Sequence, residues 1–499
     1  MFMHHMREKT GFFLGPILFF LVLFMPLPEG MKPEALKVAA VTVLMAVWWI
    51  TEAIPLPATS LLPIALFPLL GIMKSAAATA PYANHLIYLF MGGFFIAVTM
   101  EKWNLHKRIA MHIVNLVGTS PGKLVLGFMI ATAFLSMWVS NTATAMMMVP
   151  IGLAVVKKAS EGARADIHAG VPLSNPFGIA LMLGIAYSAS IGGVATIIGT
   201  PPNVVMVGMM DKMYGQSISF FDWMLFGVPL AVIMIAIAWV MLTKVLFTLK
   251  GNVLEGGKEY IQEELAKLGK TTPEEKKILI IGAFVCTFWI CRGFLDIPAL
   301  RYVHDATIGI LGAGFLFITP SNFAKREFLL DWPTAVKIPW DIILLFGGGL
   351  ALANGFSKSG LAVWLATQLT GLQGVNMIIF IGIVVLMVIF LTEITSNTAT
   401  ATLLVPIMGS AAVALSIHPF GPIIAGCVSA SFAFMLPVAT PPNAVVFGSG
   451  CLTIPQMAKA GIWLNIIGTL VITAAIIYGV PLIWGVDLSQ LPAWAIVGQ

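Results

Sequence analysis

Charge is what this sequence has least of. Asp, Glu, Lys and Arg make up 10% of its 499 residues and hydrophobic residues 59%, whereas an ordinary soluble domain carries about 25% charge. That deficit excludes a soluble globular protein and marks a polytopic membrane protein. Cysteine is equally sparse: Cys286, Cys291, Cys427 and Cys451 lie in apolar stretches, with no CxxC pair and no His cluster at metal-ligand spacing. A disulfide scaffold and a zinc module are excluded, and free thiols are expected. HExxH, GxSxG, a Walker loop and paired intramembrane aspartates are all missing, so an intramembrane enzyme is a poor reading. The alternating pattern of a transmembrane barrel is absent too, and apolar runs of about 17 to 25 residues recur instead. The expected fold is all-α.

The runs predict eleven crossings, at about 11–27, 38–54, 56–73, 84–118, 177–209, 219–249, 278–295, 303–320, 338–371, 421–450 and 458–485. Arg7 and Lys9 precede the first run and no small-residue cleavage site follows it, so it reads as an uncleaved span. With the N-terminus in the cytoplasm, only Lys32, Lys37, Lys74, Lys212, Arg292, Arg301 and Lys358 of the 27 Lys and Arg fall outside. This positive-inside bias explains the net charge of +5 without a nucleic-acid partner and places the chain in the cytoplasmic (plasma) membrane.

Two further apolar segments, about 121–157 and 376–412, are interrupted at their centres by the same tripeptide. Ser140-Asn141-Thr142 recurs 256 residues later as Ser396-Asn397-Thr398, and Thr200-Pro201-Pro202-Asn203 recurs 240 residues later as Thr440-Pro441-Pro442-Asn443. Residues 134–151 match 390–407 at 11 of 18 positions, and Gly92-Gly93 matches Gly348-Gly349, glycines that suit close helix packing. An odd number of crossings separates the copies, so the repeat is expected to be inverted. The two interrupted segments then read as re-entrant hairpins and 177–209 and 421–450 as broken helices. The chain divides into a first span (1–37), repeat 1 (38–250), a solvated cytoplasmic linker (251–277), repeat 2 (278–485) and a tail (486–499). After Pro406 the second copy is sixteen residues shorter, opposite the polar stretch 157–176.

Neutral hydroxyls, amides and prolines at membrane depth are costly unless they line a protected site. Ser, Asn and Thr both donate and accept, so a tip built from them can hold a carboxylate and offer oxygens to a cation. Helix N-termini at a break aim N–H groups at an anion, and freed carbonyls can coordinate sodium. The Pro-Pro pairs are expected to produce the breaks. Two symmetric tips suit a ligand with two similar ends, a four- or five-carbon dicarboxylate, and with no Lys or Arg near either motif the compensating charge falls to sodium or oriented dipoles. A lone Ser-Asn-Thr commonly makes only an interhelical hydrogen bond. Its double occurrence, each time followed by Thr-Pro-Pro-Asn, argues for a site.

Glu393, matched by Met137 in the first copy, reads either as a proton-binding group or as a carboxyl paired within the bundle. Glu52 and Asp341 are expected at span ends, and His85, His304 and His418 as isolated loop or interface residues. Residues 101–118 read as an amphipathic interfacial helix.

At these motifs the sequence resembles the divalent-anion/sodium symporter family over essentially its whole length. The resemblance implies a homodimer in which each protomer moves a transport domain against a scaffold, as an elevator. Carried over by motif, the first sodium site would use Ser136, Ser140, Asn141 and the backbone of Gly199, and the second Thr392, Ser396, Asn397 and the backbone of Ala439. The substrate carboxylates would meet Ser140, Asn141, Thr142, Thr200, Pro201, Ser396, Asn397, Thr398, Thr440 and Pro441. The expected activity is secondary transport of a dicarboxylate such as succinate, malate, fumarate or 2-oxoglutarate, with no cofactor beyond the coupling sodium. Sodium-independent dicarboxylate exchange stays open on the motifs alone.

Overall fold

The computed structural model describes residues 2–118, 120–162, 175–249, 257–294, 302–372 and 374–496, which are almost entirely helical. Arg164, Lys250 and Arg301, all counted in the charge bias, and most of the 157–176 loop lie outside the described residues. Among the described residues, seven helices are long and apolar enough to cross a membrane: Pro33–Thr51, Ser75–Lys102, Pro176–Gly193, Phe220–Leu246, Trp340–Ser359, Asn397–Ala414 and Ile454–Trp484. Five shorter apolar helices accompany them. The chain is an integral, multi-pass membrane protein. A short antiparallel pair, Pro320–Asn322 with Glu327–Phe328, departs from the helical pattern. All four cysteines are free.

Three runs predicted as single crossings are divided. The run 84–118 ends at Lys102 and restarts as Leu105–Val117, with Asn104 in the left-handed region at φ 54°. The run 338–371 ends at Ser359 and restarts at Leu361 through Gly360 at φ 81°. A left-handed residue ends a helix because its N–H turns back onto the last carbonyls, and Gly and Asn bear that conformation at least cost. Asn104 and Gly360 are 256 residues apart, so the repeat extends to its punctuation. The run 56–73 is two short helices, Leu56–Thr59 and Leu62–Leu69, the second opened by Pro63.

Pro176–Gly193 is the central helix. Fully 94% of its spanning window is buried, against 22% for the peripheral Ile454–Trp484. Its small residues permit that position: a Cβ at Gly192 would collide with the backbone of Ala133 on the neighbouring helix Pro121–Ser136. The paired glycines behave as expected. Gly92 lies against the backbone of Gly309, and Gly348 against that of Ser60.

The polar segment expected to be a solvated linker is docked. Helix Gly257–Leu268 packs against Leu105–Val117 and Asn141–Gly162, with Lys107 Nζ 3.0 Å from Glu264 Oε2. Arg108 Nε lies 2.8 Å from Glu275 Oε1 in a buried pair, and its guanidinium also donates to the carbonyls of Leu268 and Gly269. An arginine fork meeting a carboxylate and two carbonyls satisfies a buried charge that a solvated face would not need. The histidines are not isolated either: the His85 and His304 rings lie 4.6 Å apart, and the buried His418 accepts from the Phe420 N–H. Glu52 ends Pro33–Thr51 in a left-handed conformation and pairs with Arg7 at 3.3 Å.

Arg108→Ala leaves the Glu275 carboxylate buried without its counter-charge and is expected to cost about 3 kcal/mol. Thermal unfolding of the detergent-solubilised protein would show a lowered midpoint, and the added Glu275→Ala change would cost less than the two single losses summed.

Candidate functional site

Each Ser-Asn-Thr motif opens a helix. Helix Pro121–Ser136 is followed by the tip 137–140 and helix Asn141–Gly162, and helix Met377–Thr392 by the tip 393–396 and helix Asn397–Ala414. The Ser140 hydroxyl accepts from the Ala143 N–H at 3.3 Å and that of Ser396 from the Ala399 N–H at 3.5 Å. The serines therefore cap, and Asn and Thr occupy the first two helical positions, where unpaired N–H groups attract an anion.

Each Thr-Pro-Pro-Asn motif also opens a helix, Pro201–Tyr214 or Pro441–Gly448. The prolines sit where no intrahelical N–H is required. They start the second helix instead of breaking the first, which corrects the role expected of them. The irregular stretches lie before them, between Gly193 and Thr200 and between Ser429 and Thr440. Two buried asparagines hold these stretches. Asn203 Nδ2 donates to the carbonyls of Thr196 (2.7 Å) and Val194 (3.2 Å), and Asn443 Nδ2 to those of Leu436 (3.0 Å) and Ala433 (3.2 Å). A buried carbonyl freed from a helix needs such a donor.

Of the residues expected at the first cation site, Ser136, Asn141 and Gly199 lie together. Ser136 Oγ lies 2.6 Å from Asn141 Oδ1 and 2.6 Å from the Ala189 carbonyl. The same Asn141 Oδ1 position is 3.1 Å from the Ala189 carbonyl and 3.2 Å from that of Gly199. Four oxygens thus face one another. Turning the amide over lets its NH2 donate to the other three, so the cluster closes on itself through Asn141. The second site repeats the pattern, with Thr392 Oγ1 2.6 Å from Asn397 Oδ1 and 2.9 Å from the Ala430 carbonyl. Buried hydroxyls of Ser188 and Ser190, flanking Ala189, and of Ser429 and Ser431, flanking Ala430, find no partner among the described residues. Such groups are costly unless water or a ligand completes them.

The two halves interlock. Pro201–Tyr214 of the first packs against Asn397–Ala414 of the second, and Pro441–Gly448 of the second against Asn141–Gly162 of the first. Pro201 and Thr398 line one narrow cleft with Ile87, Phe90, Ile342 and Phe346. Thr142, Ser140, Asn141, Ser396 and Asn397 are half-buried at their tips, Thr200, Thr440 and Ala439 are buried, and Pro441 is exposed. Thr142, Thr440 and Pro441 do not line the cleft that Pro201 and Thr398 share.

Three participants escaped sequence reasoning. The Ala189 and Ala430 carbonyls carry no residue signature, since any residue supplies one. Arg7 corrects the expectation that no basic residue lies near a motif: its guanidinium donates to the Ile394 carbonyl at 2.9 Å, two residues before Ser396. Glu393 is turned to the second break, where it accepts from the N–H groups of Phe434 (2.7 Å), Met435 (2.9 Å) and Leu436 (3.1 Å) and from Asn465 Nδ2 (2.7 Å). Its partners are amides, and no basic side chain is among them.

Residues 8–485 match the family model described as the sodium:sulfate symporter transmembrane region. The chain belongs to this family, the divalent-anion/sodium symporters. This symporter-family chain is 43% identical over 98% of its length to the sodium-dependent dicarboxylate transporter SdcS of Staphylococcus saprophyticus, covering 94% of that protein. It is 44% identical over 97% of its length to the SdcS of Staphylococcus aureus, covering 93% of it. Among solved structures, the symporter-family fold resembles the Alcanivorax borkumensis YdaH transporter, with a TM-score of 0.57 at 14% identity over 90% of this chain and 99% of that one. Neisseria gonorrhoeae MtrF gives 0.56 at 11% identity, over 91% and 96%. At these identities the likeness is one of fold alone.

Asn203→Ala and Asn443→Ala each strand buried carbonyls at a break and are expected to cost about 2 kcal/mol. Melting curves of the two purified variants would both fall below the parent; an unchanged midpoint in either would remove that asparagine from the role given to it.

Proposed function

We propose that this protein is a secondary active transporter that carries a C4 or C5 dicarboxylate across the cytoplasmic membrane with sodium. The observation that carries this reading is the pair of oxygen clusters. Each is built from a hydroxyl, a motif asparagine and a backbone carbonyl near a break, and neither a carboxylate nor a soft ligand is among these atoms. Neutral oxygens suit a hard monovalent cation, and adjacent helix N-termini suit an anion. The near full-length identity to proteins named sodium-dependent dicarboxylate transporters supports the same pairing of ligands.

In this reading Ser136, Ser140, Asn141 and the Gly199 and Ala189 carbonyls hold one sodium, and Thr392, Ser396, Asn397 and the Ala439 and Ala430 carbonyls hold the other. Asn141, Thr142, Thr200, Pro201, Asn397, Thr398, Thr440 and Pro441 meet the substrate between them. Sodium neutralises a dianion whose desolvation at membrane depth would otherwise be prohibitive. Occupied cation sites order the tips that receive the carboxylates, so the two ligands bind as a unit. The tips belong to re-entrant hairpins of an inverted repeat with about eleven crossings and a cytoplasmic N-terminus. They travel with the broken helices as an elevator inside a homodimer. The interlock of each half's post-break helix with the other half's hairpin supports a common moving body.

Labelled succinate uptake into proteoliposomes tests the reading. Accumulation into empty vesicles under an inward sodium gradient is expected. Uptake that ignores sodium and requires internal dicarboxylate would make the protein an exchanger. Asn141→Ala and Asn397→Ala are each expected to abolish uptake while leaving folded protein in the membrane, and wild-type transport in both would sink the site assignment.

A further inference from the structure

The two oxygen clusters are alike, but the braces that hold them are not. In the first half, Thr196 Oγ1 donates to the Met137 carbonyl at 2.5 Å, joining the hairpin tip to the break. The Thr196 carbonyl in turn accepts from Asn203 Nδ2 at 2.7 Å and from the Gly199 N–H at 3.4 Å. That chain of bonds fixes Gly199, whose carbonyl faces Asn141. In the second half, Met137 is replaced by Glu393 and Thr196 by Leu436 at the same two offsets. The Leu436 carbonyl again accepts from the asparagine, Asn443, at 3.0 Å and from the Ala439 N–H at 3.2 Å. Leucine has no hydroxyl to reach the tip, and the Glu393 carboxylate closes the gap from the other side by accepting the Leu436 N–H.

The replacement is more than an exchange of one bond for another. Both Glu393 oxygens are used, on three consecutive N–H groups and the amide of Asn465. Asn465 sits on Ile454–Ala474, one turn beyond Gly461, where a Cβ would collide with the backbone of Phe434. The close approach at Gly461 is what brings the Asn465 amide into reach. Glu393 is also the chain neighbour of Thr392, whose hydroxyl meets Asn397 Oδ1. One residue therefore adjoins the second cluster covalently at Thr392 and, through Leu436, holds the turn that carries Ala439.

The geometry points to Glu393 as a positioning residue whose carboxyl, through its bonds to three backbone N–H groups and Asn465, pre-shapes the second cation site, leaving the first site, braced by a single hydroxyl, the more compliant of the two. The inference rests on the sodium-coupled reading above. It predicts unequal behaviour of the two motif-equivalent sites from the exchange of Met137 and Thr196 for Glu393 and Leu436. Sodium binding at the second site is then the step that depends on Glu393. Dicarboxylate recognition, once sodium is saturating, does not.

Sodium activation of succinate uptake, the succinate half-saturation at saturating sodium, and the thermal shift of purified protein on replacing choline by sodium chloride would be measured together. The set comprises wild type, Glu393→Gln, Asn465→Ala and Thr196→Val. Glu393→Gln is expected to raise the sodium half-saturation about tenfold, to shrink the sodium-dependent thermal shift, and to leave succinate half-saturation within about twofold. Asn465→Ala should move the sodium constant in the same direction by less, and Thr196→Val by less than Glu393→Gln. Unshifted sodium constants in Glu393→Gln, or equal shifts in the sodium and succinate constants, overturn the inference. If Glu393→Gln does not fold, Asn465→Ala decides it, and an unchanged sodium constant there overturns it. Wild-type uptake that ignores sodium would overturn the sodium-coupled reading and this inference with it, whereas sodium-dependent wild type with unshifted variants overturns this inference alone.

Discussion

A backbone that leaves its helix inside an apolar bundle must find partners for every N–H and C=O it frees, and this protein does so twice. An unsatisfied polar group in such surroundings costs several kcal/mol, so a break survives only where side chains complete it. Asn203 and Asn443 complete the carbonyls of the two breaks, and Glu393 completes the amides of the second. The rest of the architecture serves these three side chains. Their burial requires the close packing that Gly192 and Gly461 permit, and the carbonyls they leave free are the ones turned toward the hairpin tips.

Packing and polarity are therefore coupled. The central helix Pro176–Gly193 is the most buried span and also the one whose end supplies Ala189 and Gly192 to the first tip. A bulkier residue at Gly192 would move the Ala133 backbone, and with it the helix that carries Ser136. The interlock of the halves has a similar consequence. Because each post-break helix leans on the opposite hairpin, displacement of one tip is felt at the other. Such contact between the halves is the mechanical form that the proposed coupling between cations and substrate would use.

Much of the site was legible in the sequence because polar residues in an apolar chain are rare and therefore informative. Ser136, Asn141 and Gly199 were expected together and meet; Thr392 and Asn397 were expected together and meet. The Ala189 and Ala430 carbonyls that meet Ser136 and Thr392 were hidden, since a backbone oxygen has no letter of its own. Arg7 was hidden because its partner, the Ile394 carbonyl, lies 387 residues away in the chain. The docked helix Gly257–Leu268 was misread as solvated because its charges resemble those of a water-exposed face. Only packing shows that Glu264 and Glu275 are buried against Lys107 and Arg108.

By itself the sequence determined that the chain is helical and membrane-embedded and that it repeats two neutral polar motifs in the same order. Hydropathy and repetition are local and periodic properties, so they can be read along a line. Tertiary structure alone decided where the helices stop, which carbonyls face the tips, and that two copies of one motif are braced differently. Those outcomes depend on distances between residues hundreds of positions apart, such as Glu393 against Asn465 and Leu436. Apart from the bare exchange of Met137 for Glu393, nothing in the linear order records that one tip is held by a hydroxyl and the other by a carboxyl.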